Sequence, residues 1–314
     1  MNQKTFTILL ALVVVGTGAW YFDRNFLSIS TTDNQTKPIE KTEATNDKDV
    51  LKNSNVGNKI VVLSEKEDQK RIVVVTLDGE NNQVILDENS PKSKIQKIGG
   101  MTNKGEILVL VSDGSYGGSL ELIEINNPAK KTIFSISFVN PKELAVDKTG
   151  KKVAYTLFSN VETNYGYSLY QMDKKEDKKL ILRQDQEIES PLWLDASKII
   201  FIQNNSGKSE IVKVDTDTLK KSILYSSTNK VENLYANDDG VIFTESDNLY
   251  MIDAGGQKQN IGKLDGQIDS MILMDDNNVV YTDNNSVFVK DLKKQKADKV
   301  INGIRVFGWI PKEG

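Results

Sequence analysis

Cysteine and histidine are both absent from this 314-residue chain. Without cysteine there is no disulfide, no thiolate nucleophile, no zinc finger and no acylation site for a lipoprotein. Without histidine there is no Ser-His-Asp or Cys-His relay, and nearly every catalytic zinc site is excluded. Hydrolysis through two carboxylates or a Ser-Lys pair remains chemically open, so catalysis is not forbidden. The residues nonetheless point away from an enzyme: they assign no catalytic side chain, no metal and no cofactor. A cysteine-free protein is at home on either side of a membrane, so redox compartment is left undecided. Apolar residues are also few, at 38 %, against roughly 45–50 % in globular proteins. No concentrated positive charge is present either: 44 acidic residues face 40 basic ones, a net charge of -4. Phosphate backbones need a basic surface, so nucleic acid is not an expected partner.

One uncharged stretch stands out, from Thr5 to Phe22 with Lys4 before it and Asp23-Arg24 after it. As a helix, residues 5–22 would span about 27 Å, enough for a bilayer core. Trp20 and Tyr21 fall where an interfacial aromatic belt lies, and Lys4 favours an inside N-terminus. The competing reading is a cleaved secretory signal with Thr17-Gly-Ala19 as its small-x-small site. The uncleaved anchor is favoured because the apolar run continues past that site. Both readings place the rest of the chain outside: tethered to the cell membrane by a single pass, or secreted. Residues 1–4 would form a cytoplasmic tip. Residues 23–58 are polar and charged, with almost no large apolar side chain after Leu27 and Ile29, and read as a flexible stalk.

From residue 59 onward a unit recurs six times. A turn rich in Asp, Asn, Gly and Lys leads into a short apolar strand, then come a strand ending in Asp or Asn and a more polar strand. Landmarks Asp78, Asn126, Asp173, Asp215, Asp253 and Asp291 repeat about every 40 residues. Continuous apolar runs such as Ile107-Leu-Val-Leu-Val111 and Ile199-Ile-Phe-Ile202 suit strands covered on both faces. Inner strands are predicted at 95–99, 143–146, 188–194, 231–235 and 268–273, one short of six. Ile304–Trp309 supplies the sixth and completes the first set. The expected fold is all-β, a six-bladed propeller over residues 59–314 closed by its C-terminal strand and preceded by one transmembrane or signal helix.

Asp147-Lys-Thr-Gly-Lys-Lys-Val-Ala-Tyr155 resembles the repeat of TolB-type β-propellers, in which a Pro-Asp-Gly-Lys turn feeds an aliphatic-Ala-aromatic strand. The Leu-Tyr-x-x-Asp element of that repeat resembles Ser168-Leu-Tyr-Gln-Met-Asp173 and Asn248-Leu-Tyr-Met-Ile-Asp253. The turn's proline is absent here, and Asp195-Ala-Ser-Lys198 and Asp275-Asp-Asn-Asn278 shorten it. The resemblance implies the propeller fold and export. The α/β domain that precedes the propeller in TolB is replaced by the anchor and stalk.

In a propeller of this kind, loops entering the inner strands and loops joining second to third strands share one face. On it fall Asp185, Glu187, Glu189, Glu232, Asp265, Asp269 and Arg305. Glu187 and Glu189 are two apart, so they point to the same side of a strand. Such carboxylates can bind a basic peptide or a cation, act as an acid and base, or simply solvate a rim. Tyr116 and Tyr165, on loops of the same face, offer rings to stack on sugar or peptide. Tyr167 alternates with Leu169 as a strand residue would, and Trp193 and Trp309 recur at equivalent inner-strand ends, which argues for packing. Asp215-Thr-Asp217 and Asn237-Asp-Asp-Gly240 carry oxygen ligands but read as hairpin turns. The function expected is a non-catalytic platform for an envelope protein or polysaccharide. Alternatives are a carboxylate-dependent glycan hydrolase or lyase and a structural ectodomain of a membrane complex.

Overall fold

A computed structural model describes residues 58–66, 69–77, 82–88, 94–112, 118–138, 141–175, 177–275, 277–294 and 297–310. The expected anchor or signal at 5–22, and the stalk up to residue 57, lie outside them. Among the described residues no helix is long and apolar enough to cross a membrane.

The chain starts with β1 (Lys59–Lys66), β2 (Gln69–Thr76) and β3 (Asn82–Asp87). Two four-strand sets follow: β4 (Lys94–Met101), β5 (Glu106–Ser112), β6 (Gly118–Glu124) and β7 (Lys131–Phe138); then β8 (Glu143–Val146), β9 (Lys152–Ser159), β10 (Gly166–Asp173) and β11 (Lys178–Gln184). The next set is β12 (Glu189–Trp193), β13 (Lys198–Asn205), β14 (Lys208–Asp215) and β15 (Lys221–Ser227). After it come β16 (Val231–Ala236), β17 (Gly240–Glu245), β18 (Asn248–Asp253) and β19 (Lys258–Lys263). The last strands are β20 (Ser270–Leu273), β21 (Asn278–Asp283), β22 (Ser286–Asp291), β23 (Asp298–Asn302) and β24 (Arg305–Ile310). They form six antiparallel four-stranded sheets, one per blade. Blade 1 has the order β24-β1-β2-β3, and blades 2 to 6 use consecutive strands.

The expected closure is therefore the observed one. β24 pairs antiparallel with β1, from Lys59 opposite Ile310 to Leu63 opposite Arg305. The Ile304 N–H donates to the Leu63 carbonyl at 2.7 Å and the Gly303 N–H to the Asn285 carbonyl at 3.0 Å. Gly303 must lack a side chain: a Cβ there would lie 2.4 Å from Val62 and 2.9 Å from Val287.

The core is not one cluster but six layers, each between adjacent blades. Ile60 and Val62 face blade 6, meeting Ile272, Val280 and Val287. Val61 faces the other way, with Ile95, Ile107 and Val109 of blade 2. Successive residues of a strand point to opposite faces, and here both faces are covered, so the second strands carry unbroken apolar runs.

The recurring Asp and Asn residues cap the turns. Both oxygens of the buried Asp147 are used: Oδ1 accepts from the Lys151 and Lys152 N–H groups at 2.7 Å each, and Oδ2 from the Thr149 N–H at 3.2 Å. Asn237, Asp195 and Asp275 hold the equivalent turns of later blades. Asp173, Asp215, Asp253 and Asp291 do the same between third and fourth strands. Hydrogen bonds from Thr218 keep the Asp215 carboxyl below its ordinary value. The oxygens of Asp215 and Asn237 are thus spent on backbone N–H groups.

Between blades 4 and 5 sits a buried polar knot. The Glu245 carboxylate accepts from Tyr225 at 2.9 Å, from Lys258 at 2.5 Å, and from Ser227 and Asn229. The Lys258 ammonium lies 3.7 Å from the centre of the Tyr250 ring. Burial alone would push the Glu245 carboxyl up; the hydrogen bonds, led by Lys258, outweigh it and hold it at about 2. A depressed carboxyl contributes stability above its ordinary 4.5 and loses it as pH falls towards its folded value. The melting temperature is therefore expected to drop between about pH 4.5 and 2, and Glu245→Gln to shrink that drop; an equal drop in both proteins would contradict it. For the closure, Val306→Asp places a charge in the layer between blades 6 and 1, where Val306 is buried. Denaturant unfolding should show a loss of about 3 kcal/mol or more. Asn302→Asp, on an exposed position of β23, should stay within about 0.5 kcal/mol, and equal losses would count against the seam.

Candidate functional site

The ring has two mouths. The inner strands β4, β8, β12, β16, β20 and β24 begin at the upper one and end at the lower. The loops joining second to third strands reach the upper face too.

Blades 3 and 4 carry the most distinctive chemistry there. β9 runs out to Phe158 and Ser159, a 3₁₀ turn (Glu162–Asn164) follows, and β10 returns through Tyr167, the cross-strand partner of Phe158. At the bend Gly166 has φ 111, and a Cβ there would lie 2.6 Å from the Gln184 carbonyl, so only glycine lets the hairpin close on β11. The Phe158 ring centre is then 4.9 Å from that of Tyr167 and 5.8 Å, edge-on, from that of Tyr165. Water reaches this cluster: Phe158 is 43 % exposed, Tyr165 58 % and neighbouring Val161 57 %.

Lys142, just before β8, reaches over this shelf. Its ammonium lies 4.8 Å from the Tyr167 ring centre and 3.5 Å from the Tyr167 hydroxyl oxygen, and it pairs with the Glu187 carboxylate. The Glu187 hydrogen bond, ahead of any other cause, raises the Lys142 ammonium above its ordinary value. Glu189 begins β12 and accepts from the Asn204 amide at 2.9 Å. Its carboxyl is pushed up, first by burial and then by the charge of Glu187. A bulge follows in β12, with Ser190 at φ 49. The same device recurs in β16, where Glu232 precedes Asn233 at φ 53. Bulges at such rims re-aim side chains. Lys70, Lys94 and Lys97 face Lys142, Glu143 and the two glutamates across an open cleft of about 790 Å³.

Glu187 and Glu189 line the same cleft, although Glu187 lies before β12 and not on the strand that the two-residue spacing presumed. Glu232 lines a neighbouring recess with Gly266 and Ile268, and pairs with Lys230. Asp265 turns to Lys290, 3.0 Å away. Asp185 and Asp269 are exposed, and Arg305 lies over Phe307 with its guanidinium carbon 5.6 Å from the ring centre. Tyr165 joins the aromatic shelf, whereas Tyr116 lies outside the described residues. Trp193 is packed between blades 3 and 4 as its repeat position indicated; the side chain of Trp309 is outside the description. Phe158 and Lys142 went unnamed in the sequence. The one available signal for Phe158 was its place at the end of Val153-Ala-Tyr-Thr-Leu-Phe158, a run longer than Ile199-Ile-Phe-Ile202 of the next blade.

The lower mouth differs. A recess of about 530 Å³ is lined by Gly100, Met101, Trp193, Tyr235 and Phe307, among others, and Lys148 bridges to Asp238 beside it at 2.5 Å. Burial, then the Asp238 charge, raises the Tyr235 hydroxyl. Among the described residues no three acidic side chains gather as a metal-binding group.

No protein-family model matches the chain, and no curated protein matches it in sequence. Solved structures do match its fold. TolB from Acinetobacter baumannii superposes with a TM-score of 0.63 and 14 % identity, over 81 % of this chain and 66 % of that one. A chain of the nidogen/laminin complex gives 0.60 and 13 % identity, over 81 % and 97 %. Oligogalacturonate lyase in complex with manganese gives 0.53 and 10 % identity, over 74 % and 71 %. At these identities the likeness shows the fold alone, a TolB-like six-bladed propeller.

Proposed function

We propose that this protein is a non-catalytic binding platform of the cell envelope, tethered by residues 5–22 with its propeller outside, and that it holds a protein segment on its upper face. One observation carries the binding face: the exposed rings of Phe158 and Tyr165 pack with the half-buried Tyr167, and Lys142 links that shelf to Glu187 of the neighbouring cleft. Exposed aromatic clusters bordered by charge favour association. The mouth shows both signs of charge, with Lys142, Glu143, Glu187, Glu189, Lys230 and Glu232 around it. That mixture suits a polypeptide better than a polyanionic glycan, which would meet the carboxylates head on. Export rests on the charge-free run of residues 5–22 and its flanks. The fold is shared with TolB and with a chain of a two-protein complex, the nidogen/laminin assembly.

Crosslinking of the full-length chain in its native membrane tests this. Phe158→Ala with Tyr165→Ala and Glu187→Gln should abolish a specific adduct, while Lys151→Glu on the lower face should leave it. Loss of the adduct in neither variant, or in both, would remove the upper face from the account.

A second reading has one observation of its own. The raised carboxyl of Glu189, beside a second carboxylate, is the arrangement of a general acid. A glycan hydrolase or lyase working this way would turn over a cell-wall glycan and lose that turnover in Glu189→Gln. An inert full-length protein across a glycan panel excludes it.

A further inference from the structure

We propose that Tyr167, Phe158 and Glu187 form a seat for one arginine side chain of the bound protein segment, and that Lys142 fills this seat until the segment arrives. The inference rests on the protein-binding reading above and names the chemistry of its recognition.

The seat already holds a cation. The Lys142 ammonium stands 4.8 Å from the Tyr167 ring centre and 6.0 Å from that of Phe158, with the Glu187 carboxylate as its ion-pair partner. A ring face and a carboxylate converging on one ammonium form a cation-binding site by composition and geometry, whatever group delivers the charge. Glu189 lines the same cleft, its carboxyl pushed up first by burial and then by the charge of Glu187.

Lys142 is a removable occupant. Its side chain is 46 % exposed and Glu187 is 40 % exposed, so the pair is wet and screened. Exposed pairs of this kind hold weakly, and the freed ammonium has water waiting for it. Its backbone is held in the blade of the rings, where the Lys142 N–H donates to the Thr156 carbonyl at 2.8 Å, while Glu187 lies 45 residues further along the chain, before the next blade, so only the side chain has to move.

The occupant sets the selectivity. A partner's lysine would exchange one ammonium for another and gain nothing. A guanidinium gains two things: its plane can stack on the Tyr167 ring, to which Phe158 is tilted by 48°, and its fork can meet Glu187 with two parallel hydrogen bonds. Tyr165, edge-on to Phe158, extends the wall along which the rest of the segment would lie. Lys142 therefore works as an internal competitor that turns away lysine and yields to arginine.

The test uses full-length protein carrying fluorotyrosine, with the Tyr167 resonance assigned through Tyr167→Phe. Three versions of one pentapeptide are titrated, Gly-Gly-X-Gly-Gly with X as arginine, lysine or citrulline. Arginine should shift the resonance at about tenfold lower concentration than lysine, and citrulline, which keeps the shape and loses the charge, should not shift it. Lys142→Ala should tighten arginine about fivefold and lysine by as much or more, because the competitor is gone. Glu187→Gln should weaken arginine about tenfold. Equal responses to arginine and citrulline, or no change in Lys142→Ala, would overturn the seat. If the seat fails while the crosslink still depends on Phe158 and Tyr165, the platform reading stands without it. If arginine binds as described but the crosslink ignores these residues, the seat is a cation site unrelated to any partner, and the inference falls with the reading it rests on.

Discussion

The pairing of β24 with β1 is the contact on which the rest of this structure depends. A propeller blade has no core of its own; it buries each face against a neighbour. Six blades in an open arc would leave two faces uncovered and blade 1 without its inner strand. With β24 in place, Val306 joins Ile60 and Val62 against Ile272 and Val280, and the sixth layer is filled. The channel exists only because the arc is shut, and so do the two rings of loops around its mouths. The seam involves small parts fitted closely: Gly303 against Val62, two backbone hydrogen bonds from Gly303 and Ile304, and five paired residues of β1.

Much of this was legible in the sequence, and the reason is physical. Strands covered on both faces have no polar alternation to obscure them, so runs such as Ile199–Ile202 announce themselves. The inner strands at 143–146 and 231–235, and the closure by 304–309, follow from counting against the repeat. The Asp landmarks were visible because turn caps need a short side chain with two acceptors at a fixed offset. Asp147 and Asp215 recur for backbone reasons, which is also why they make poor candidates for a ligand site.

The site was only half legible. Glu187 and Glu189 line one cleft, but Glu187 lies in the connection before β12 and only Glu189 is on the strand, so strand alternation alone does not account for their meeting. Asp265 shares their face, yet its partner is Lys290 of β22, a pairing that no local pattern encodes. Phe158 reads as one more core residue in Val153-Ala-Tyr-Thr-Leu-Phe158. Phe158 lies at the end of β9, where residues 160–165 make a longer connection to β10 than residues 206–207 make between the equally long β13 and β14. Lys142 looked like any solvated lysine until the fold brought Glu187 and Tyr167 to it. Short-range pattern specifies strands and turns well; it is silent on which side chains meet across blades. The opposite mouth shows the same limit: Gly100, Met101, Tyr235 and Phe307 come from three different blades to line a recess of unlike character.

The seam also orders events in time. A ribosome releases a chain from its N-terminus, so β1 to β3 of blade 1 emerge before the other blades. The inner strand of blade 1, β24 (Arg305–Ile310), follows only after the strands of blades 2 to 6. Until then the edge of β1 offers its unpaired N–H and C=O groups to any passing strand. Each copy therefore lives for the whole of its synthesis as an unfinished circle, exposed to misassociation in proportion to how slowly it is delivered. A chain that lacks β24 keeps five four-stranded blades and leaves the edge of β1 unpaired, open to a foreign strand.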